Sequence, residues 1–142
     1  MYESGALNPN ELRSLSVAEK IYEQIRRRKT DYINVARNTR FSLEQCKVIK
    51  NYLFHDRHEL TDGYKQFIPD IMIAQSWLRL CEIKGNRIKK HDIMLLFHEL
   101  TEIQLLLNNA DISQREAHRM ANRKYNYLKC AKEYYKSIGI HV

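Results

Sequence analysis

Residues 91–108 read HDIMLLFHELTEIQLLLN, and the rest of the chain is organised around this stretch. At 3.6 residues per turn, Ile93, Leu96, Phe97, Leu100 and Leu107 share one face. Met94, Leu95, Leu105 and Leu106 occupy much of the remainder. A helix that is apolar nearly all round is buried on most sides, so 91–108 is predicted to be the central helix. Its polar side is narrow: His91, Asp92, His98, Glu99, Thr101 and Glu102. His98 and Glu102 are one turn apart, and Glu99 and Glu102 are also neighbours. A carboxylate buried on such a helix costs several kcal/mol unless it is paired, protonated or bound to a cation.

Two arrangements satisfy that constraint. In one, the strip faces solvent beside lysines or arginines. In the other, it forms an internal site completed by other segments. The candidates to complete it are His118 in EAHRMANRKYNY, the ionisable run containing His55, Asp56, His58 and Glu59, and Asp70. If NNADI makes a hairpin between two helices, His118 comes round toward His98. His98–Glu102 is not the zincin signature, because the fifth position is Glu rather than His. The His55–Asp56 and His91–Asp92 pairs are two-letter matches to helical metal phosphohydrolases and have little specificity. Phosphate-cradling glycine loops, GxSxG and adjacent Cys–His pairs do not occur.

Outward from 91–108 the same periodicity persists. Four glycines and two prolines in 142 residues exclude a turn-rich β protein and predict an all-α single domain of five to six helices over 16–142, preceded by a loose arm at 1–15. Ser16–Glu19, Ser42–Gln45 and Ser113–Glu116 have capping-box spacing and mark helix starts. The third box is predicted to launch one long helix toward Gly139. Residues 54–67 lose periodicity around Asp62 and Gly63 and read as a loop. Pro69 suits the first turn of the helix carrying Trp77.

Composition narrows the function classes. With 44% apolar residues and no apolar run near the ~20 needed for a bilayer, no membrane association is expected. The N-terminal stretch has no signal-peptide pattern. Three cysteines without CxxC spacing predict buried thiols in a reducing cytoplasm. A net charge of +7 favours a polyanionic partner, either nucleic acid or an acidic protein. Arg115, Arg119 and Arg123 recur every four residues, with Lys124 and Tyr125 following. Arginines that hold phosphates and tyrosines that stack on bases would grip a nucleic acid. The alternative is an ordinary amphipathic helix with a solvated basic face.

The segments FIPDIMIAQSWLRL, HDIMLLFHELTE and EAHRMANRKYNY, with VARNTRFSLEQCKVIKNYLFHDRHEL upstream, resemble small helical domains at the C-terminal ends of bacterial polymorphic toxins and phage minor head proteins. The likeness runs from about Val35 to Tyr127. It departs at Ile68, where the pattern has an acid, and at Tyr127, where it often has Trp. It singles out His58, Asp70, Trp77, Asp92, His98, Glu99, Glu102 and His118. What it implies is a setting of bacterial conflict or phage biology, in which an acidic partner would be of the immunity-protein type, and no particular reaction. The residues therefore nominate His98, Glu99, Glu102 and His118 as catalytic, His58, Asp70 and Asp92 as a further site, and a divalent cation as a cofactor the cluster could accept. The expected activity is nuclease-type hydrolysis on a basic substrate-holding helix, and the rival is a non-enzymatic binding module.

Overall fold

A computed structural model of the chain describes residues 8, 9, 11 and 13–141. It is 66% helical, with a small two-stranded sheet. The helices are α1 (Arg13–Arg27), α2 (Asp31–Asn38), α3 (Leu43–Lys50), α4 (Ile71–Leu80), α5 (Lys90–Asn108), α6 (Gln114–Lys124) and α7 (Tyr127–Ser137). A π-helical turn, Asn51–His55, extends α3, and β1 (His58–Leu60) pairs antiparallel with β2 (Gly63–Lys65).

As its composition demands, α5 is the central element, packing against α3, α4, α6, α7 and the π-turn. Leu95 and Leu96 are fully buried beside Trp77, Leu80, Ile49, Phe54 and Tyr135. The Ser42 box forms completely, with Gln45 N–H donating to Ser42 Oγ and Ser42 N–H donating to Gln45 Oε1. At Ser113 only the forward bond, from Glu116 N–H, is made.

Four expectations are corrected. The first helix begins at Arg13, not at Ser16, and Ser14 is buried with its hydroxyl donating to the Asn8 carbonyl. The expected arm falls largely outside the described residues. The run 54–67 is not a plain loop: its alternation is too short to register, yet Asp62–Gly63 closes a hairpin, with Gly63 at φ 131°. Pro69 lies outside the helix, whose N-cap is Asp70; Asp70 Oδ1 accepts from Met72 and Ile73 N–H. The long final helix is two helices. Tyr125 leaves helical geometry (φ −132°, ψ 83°), and the Asn126 side chain caps α7 by accepting from Lys129 N–H.

Two buried charge systems hold the frame. Asp31 accepts from Lys50 Nζ at 2.5 Å and from Trp77 Nε1 at 2.9 Å, and Lys50 also donates to the Arg28 carbonyl. Asp92 receives Arg79 through two bonds of 2.8 Å, and the same guanidinium reaches His91 Nε2 at 3.0 Å. Removing one partner from such a pair strands a charge in the core. Asp92→Ala is therefore expected to lower the unfolding free energy by about 3–5 kcal/mol in urea titration. Asp62→Ala, which removes only an exposed pair with Lys65, should leave the midpoint where it is.

Candidate functional site

The Glu102 carboxylate is the focus of a third buried polar group, built from α5, α6 and the π-turn. Its residue is 1% exposed. Oε2 lies 2.5 Å from His98 Nε2 and 2.8 Å from His118 Nδ1, and those two nitrogens are 3.2 Å apart. Oε1 accepts from Tyr52 OH at 2.6 Å and Gln114 Nε2 at 3.1 Å. The anticipated turn after α5 does bring His118 back to His98, so the cluster is internal rather than a solvent-facing strip, although His118 itself stays about half exposed.

Each inner atom is aimed by an outer contact. His98 Nδ1 lies 2.8 Å from the Tyr125 carbonyl, which can only accept, so Nδ1 carries the proton. In a neutral ring, Nε2 is then a lone pair facing a carboxylate oxygen. That juxtaposition is stable only with a proton or a cation between the two atoms. The break between α6 and α7 is what frees the Tyr125 carbonyl for this contact. On the far side of His118, Nε2 meets Asn122 Nδ2 at 3.3 Å. Tyr52 is fixed in turn by His58, whose Nε2–H donates to the Tyr52 carbonyl and whose ring stacks on Phe67. The π-turn that presents Tyr52 is a type of irregularity often found at functional sites.

Electrostatics follow from these contacts. Burial would raise the Glu102 carboxyl, but hydrogen bonds from His118, His98 and Tyr52 outweigh it and hold it at about 2. The same bond to Glu102 raises His118 above its ordinary value against the opposing effect of burial. Glu99 behaves oppositely. Burial, with the Glu102 charge adding to it, pushes its carboxyl well above the usual range. No hydrogen bond or ion pair of Glu99 is formed among the described residues. Glu99, Glu102, His118, Gln114 and Asp70 share the wall of a cleft of about 340 Å³.

The structure thus gathers His98, Glu99, Glu102 and His118, with Asp70 on the same cleft and His58 one residue removed behind Tyr52. Asp92 does not belong: it is sequestered by Arg79, and its stranded-charge logic is structural. Arg115, Arg119, Arg123 and Lys124 are exposed along α6, and the Tyr125 ring stacks on Phe97 rather than standing free. Sequence reading missed Tyr52, Gln114, Asn122 and the Tyr125 carbonyl. Gln114 and Asn122 had one available signal, each lying four residues from His118 on the same helix face.

Chemically, two imidazoles and one carboxylate oxygen converging on a point can share a proton or ligate a divalent cation. No family model, curated protein or solved structure matches the chain, so function has to be read from this geometry.

The shifts fix a pH dependence. Glu102 is depressed from 4.5, so its contribution is present above 4.5 and lost as pH falls toward about 2. His118 is raised, so its contribution is present below 6.5 and lost as pH rises through its folded value. Both describe one interaction. Thermal melts with a chelator present should therefore show it contributing most between pH 4.5 and 6.5, and Glu102→Gln should flatten the profile on both sides.

Proposed function

We propose that the chain is a hydrolase in which His98, Glu102 and His118 hold a divalent cation and Glu99 serves as general base. One observation carries this reading: three inner ligand atoms face one another at 2.5–3.2 Å, while the outer atoms of His98 and Glu102 are held by a carbonyl and a hydroxyl that leave the inner ones as acceptors. A metal-bound imidazole typically donates its other N–H to a carbonyl, as His98 does to Tyr125, and a ligating carboxylate is held through its second oxygen, as Glu102 is by Tyr52. Tetrahedral ligands at bonds of about 2.0–2.1 Å stand about 3.3 Å apart, so the three atoms need to spread by less than about 1 Å.

The donor set, two His and one Glu, suits zinc and similar ions and leaves a position open for water. The cation would acidify that water and favour the ionised form of Glu99, which lies on the same cleft with no hydrogen-bonding partner among the described residues and would take its proton. The pattern HExxE lacks the second histidine of the zincin motif, and His118 would make up the count from α6. In the setting implied by the likeness to toxin and phage head domains, such a hydrolase would act as an effector in bacterial conflict.

Titration of the chelator-treated protein with Zn²⁺ or Co²⁺ is expected to give tight binding at one ion per chain, abolished in His118→Ala. Glu99→Gln should retain the ion and the melting temperature but hydrolyse p-nitrophenyl acetate about 10²-fold or more slowly. Failure to retain an ion, or full activity in Glu99→Gln, would refute the assignment.

A second reading draws on the exposed stripe of Arg115, Arg119 and Arg123, which makes α6 a surface for nucleic acid or an acidic protein without catalysis. On that reading, replacing all three with Ala should reduce the slope of log affinity against log salt for a single-stranded oligonucleotide by about 2–3. An unchanged slope would remove α6 as a contact surface.

A further inference from the structure

The cleft beside the cluster has a composition that selects among substrates. Tyr22, Leu53, Leu60, Phe67, Ile68 and Ile73 form its apolar wall, and the charged groups reaching it, apart from His118, are Asp70, Glu99 and Glu102. No lysine or arginine lines it. Arg115 lines an adjoining hollow that shares Leu60 and Gln114 with the cleft, and Arg26 lies behind the Tyr22 ring, 5.8 Å from its centroid. The lysines of α7, among them Lys129, Lys132 and Lys136, line a different groove. The lysines and arginines of α6 and α7 thus lie outside this cleft, which is lined by apolar side chains and carboxyl groups.

A phosphodiester entering this cleft would find no lysine or arginine to receive its charge, only the His118 imidazole that Glu102 already engages. An amide brings none. Its carbonyl would turn to the cation, its N–H would find acceptors in the acids, and a neighbouring apolar side chain would fill the wall. At about 340 Å³ the cleft is at the small end of ligand sites, sized for one residue and its flanking backbone rather than for a polymer groove.

Resting on the hydrolase reading, we infer that the substrate is a peptide amide adjoining a bulky apolar residue, seated against Phe67, Ile68 and Ile73. The water oxygen bonds to the carbonyl carbon and the C–N bond breaks. One water proton passes through Glu99 to the leaving nitrogen, and the other stays on the new carboxyl group until it ionises into solvent. The products are a carboxylate and an amine, with no redox change.

The test uses the full-length chain loaded with Zn²⁺ and a set of internally quenched hexapeptides whose central residue is Leu, Phe, Asp or Lys. Labelled RNA and DNA oligonucleotides and p-nitrophenyl acetate are run in parallel. Cleavage of the Leu and Phe peptides is expected at a kcat/KM at least about tenfold above that for Asp. Ile68→Lys, at an edge position 63% exposed and so compatible with folding, should retain the ion and shrink the Leu-to-Asp ratio by about tenfold or more. Cleavage of oligonucleotides with peptides intact would overturn the inference and leave the hydrolase reading standing. Ester hydrolysis by the metal-loaded chain without cleavage of any peptide would also overturn it. A chain that neither retains the ion nor hydrolyses the ester would refute the hydrolase reading itself, and the inference with it.

Discussion

The burial of one carboxylate constrains this molecule more than any other interaction. Glu102 is carried into the interior by α5, whose apolar circumference leaves it nowhere else to go. An unpaired carboxylate there would cost several kcal/mol, so other segments must deliver donors. Tyr52 comes from the π-turn, Gln114 and His118 from α6, and His98 from the preceding turn of α5 itself. The irregularities of the fold lie where those donors are presented. The extra residue in the turn after α3 sets Tyr52, and the interruption of the helix at Tyr125 supplies the carbonyl that aims His98. A continuous helix from 114 to 137 would have spent that carbonyl on an intrahelical bond.

The described residues contain three buried charge systems, and comparing them separates structure from chemistry. Asp31 with Lys50 and Trp77, and Asp92 with Arg79 and His91, are closed: opposite charges meet and their hydrogen bonds are made within the core. The Glu102 system is different in kind. Its cationic partners are imidazoles, which change charge near neutrality, rather than a lysine or an arginine. Beside it stands Glu99, with no hydrogen-bonding partner among the described residues. Closed pairs fix helix register; a set with an unmatched acid next to an accessible imidazole has capacity left over.

Much of this was legible in the sequence. Apolar spacing identified α5 as central, the Ser42 box marked α3, and one-turn separation placed His98 beside Glu102. The brevity of NNADI suggested that His118 would return to them. What stayed hidden had physical reasons. Strands of three residues carry too little alternation to be seen, so the hairpin at 58–65 read as a loop. Arg123, Lys124 and Tyr125 are all acceptable within a helix, and the break after them is set by tertiary contacts rather than by Gly or Pro. Tyr52 sits fifty residues from Glu102, with no local pattern linking them. Asp92 was grouped with the site because it shares a helix with it, but its partner, Arg79, lies on α4, and helical phase sends it to a different neighbour.

The unmatched acid also bears on what kind of network this is. If the cluster served only to lock α5 against α6, Glu99 would be a liability, since a glutamine or leucine at that position would spare the desolvation of a carboxyl group and leave the Glu102 bonds intact. A carboxyl group whose ionisation is disfavoured by burial, and which has no hydrogen-bonding partner among the described residues, carries a desolvation cost that its opening to the cleft relieves only in part. A general base must be ionised when it acts, and a cation held by the neighbouring imidazoles and Glu102 would favour the ionised form of Glu99 against the effect of burial. The cost of keeping Glu99 beside two imidazoles and a carboxylate is thus intelligible on a catalytic account and gratuitous on a structural one. That asymmetry sets the hydrolase reading above the binding module, whose arginines lie on a different face of α6 and make no use of Glu99.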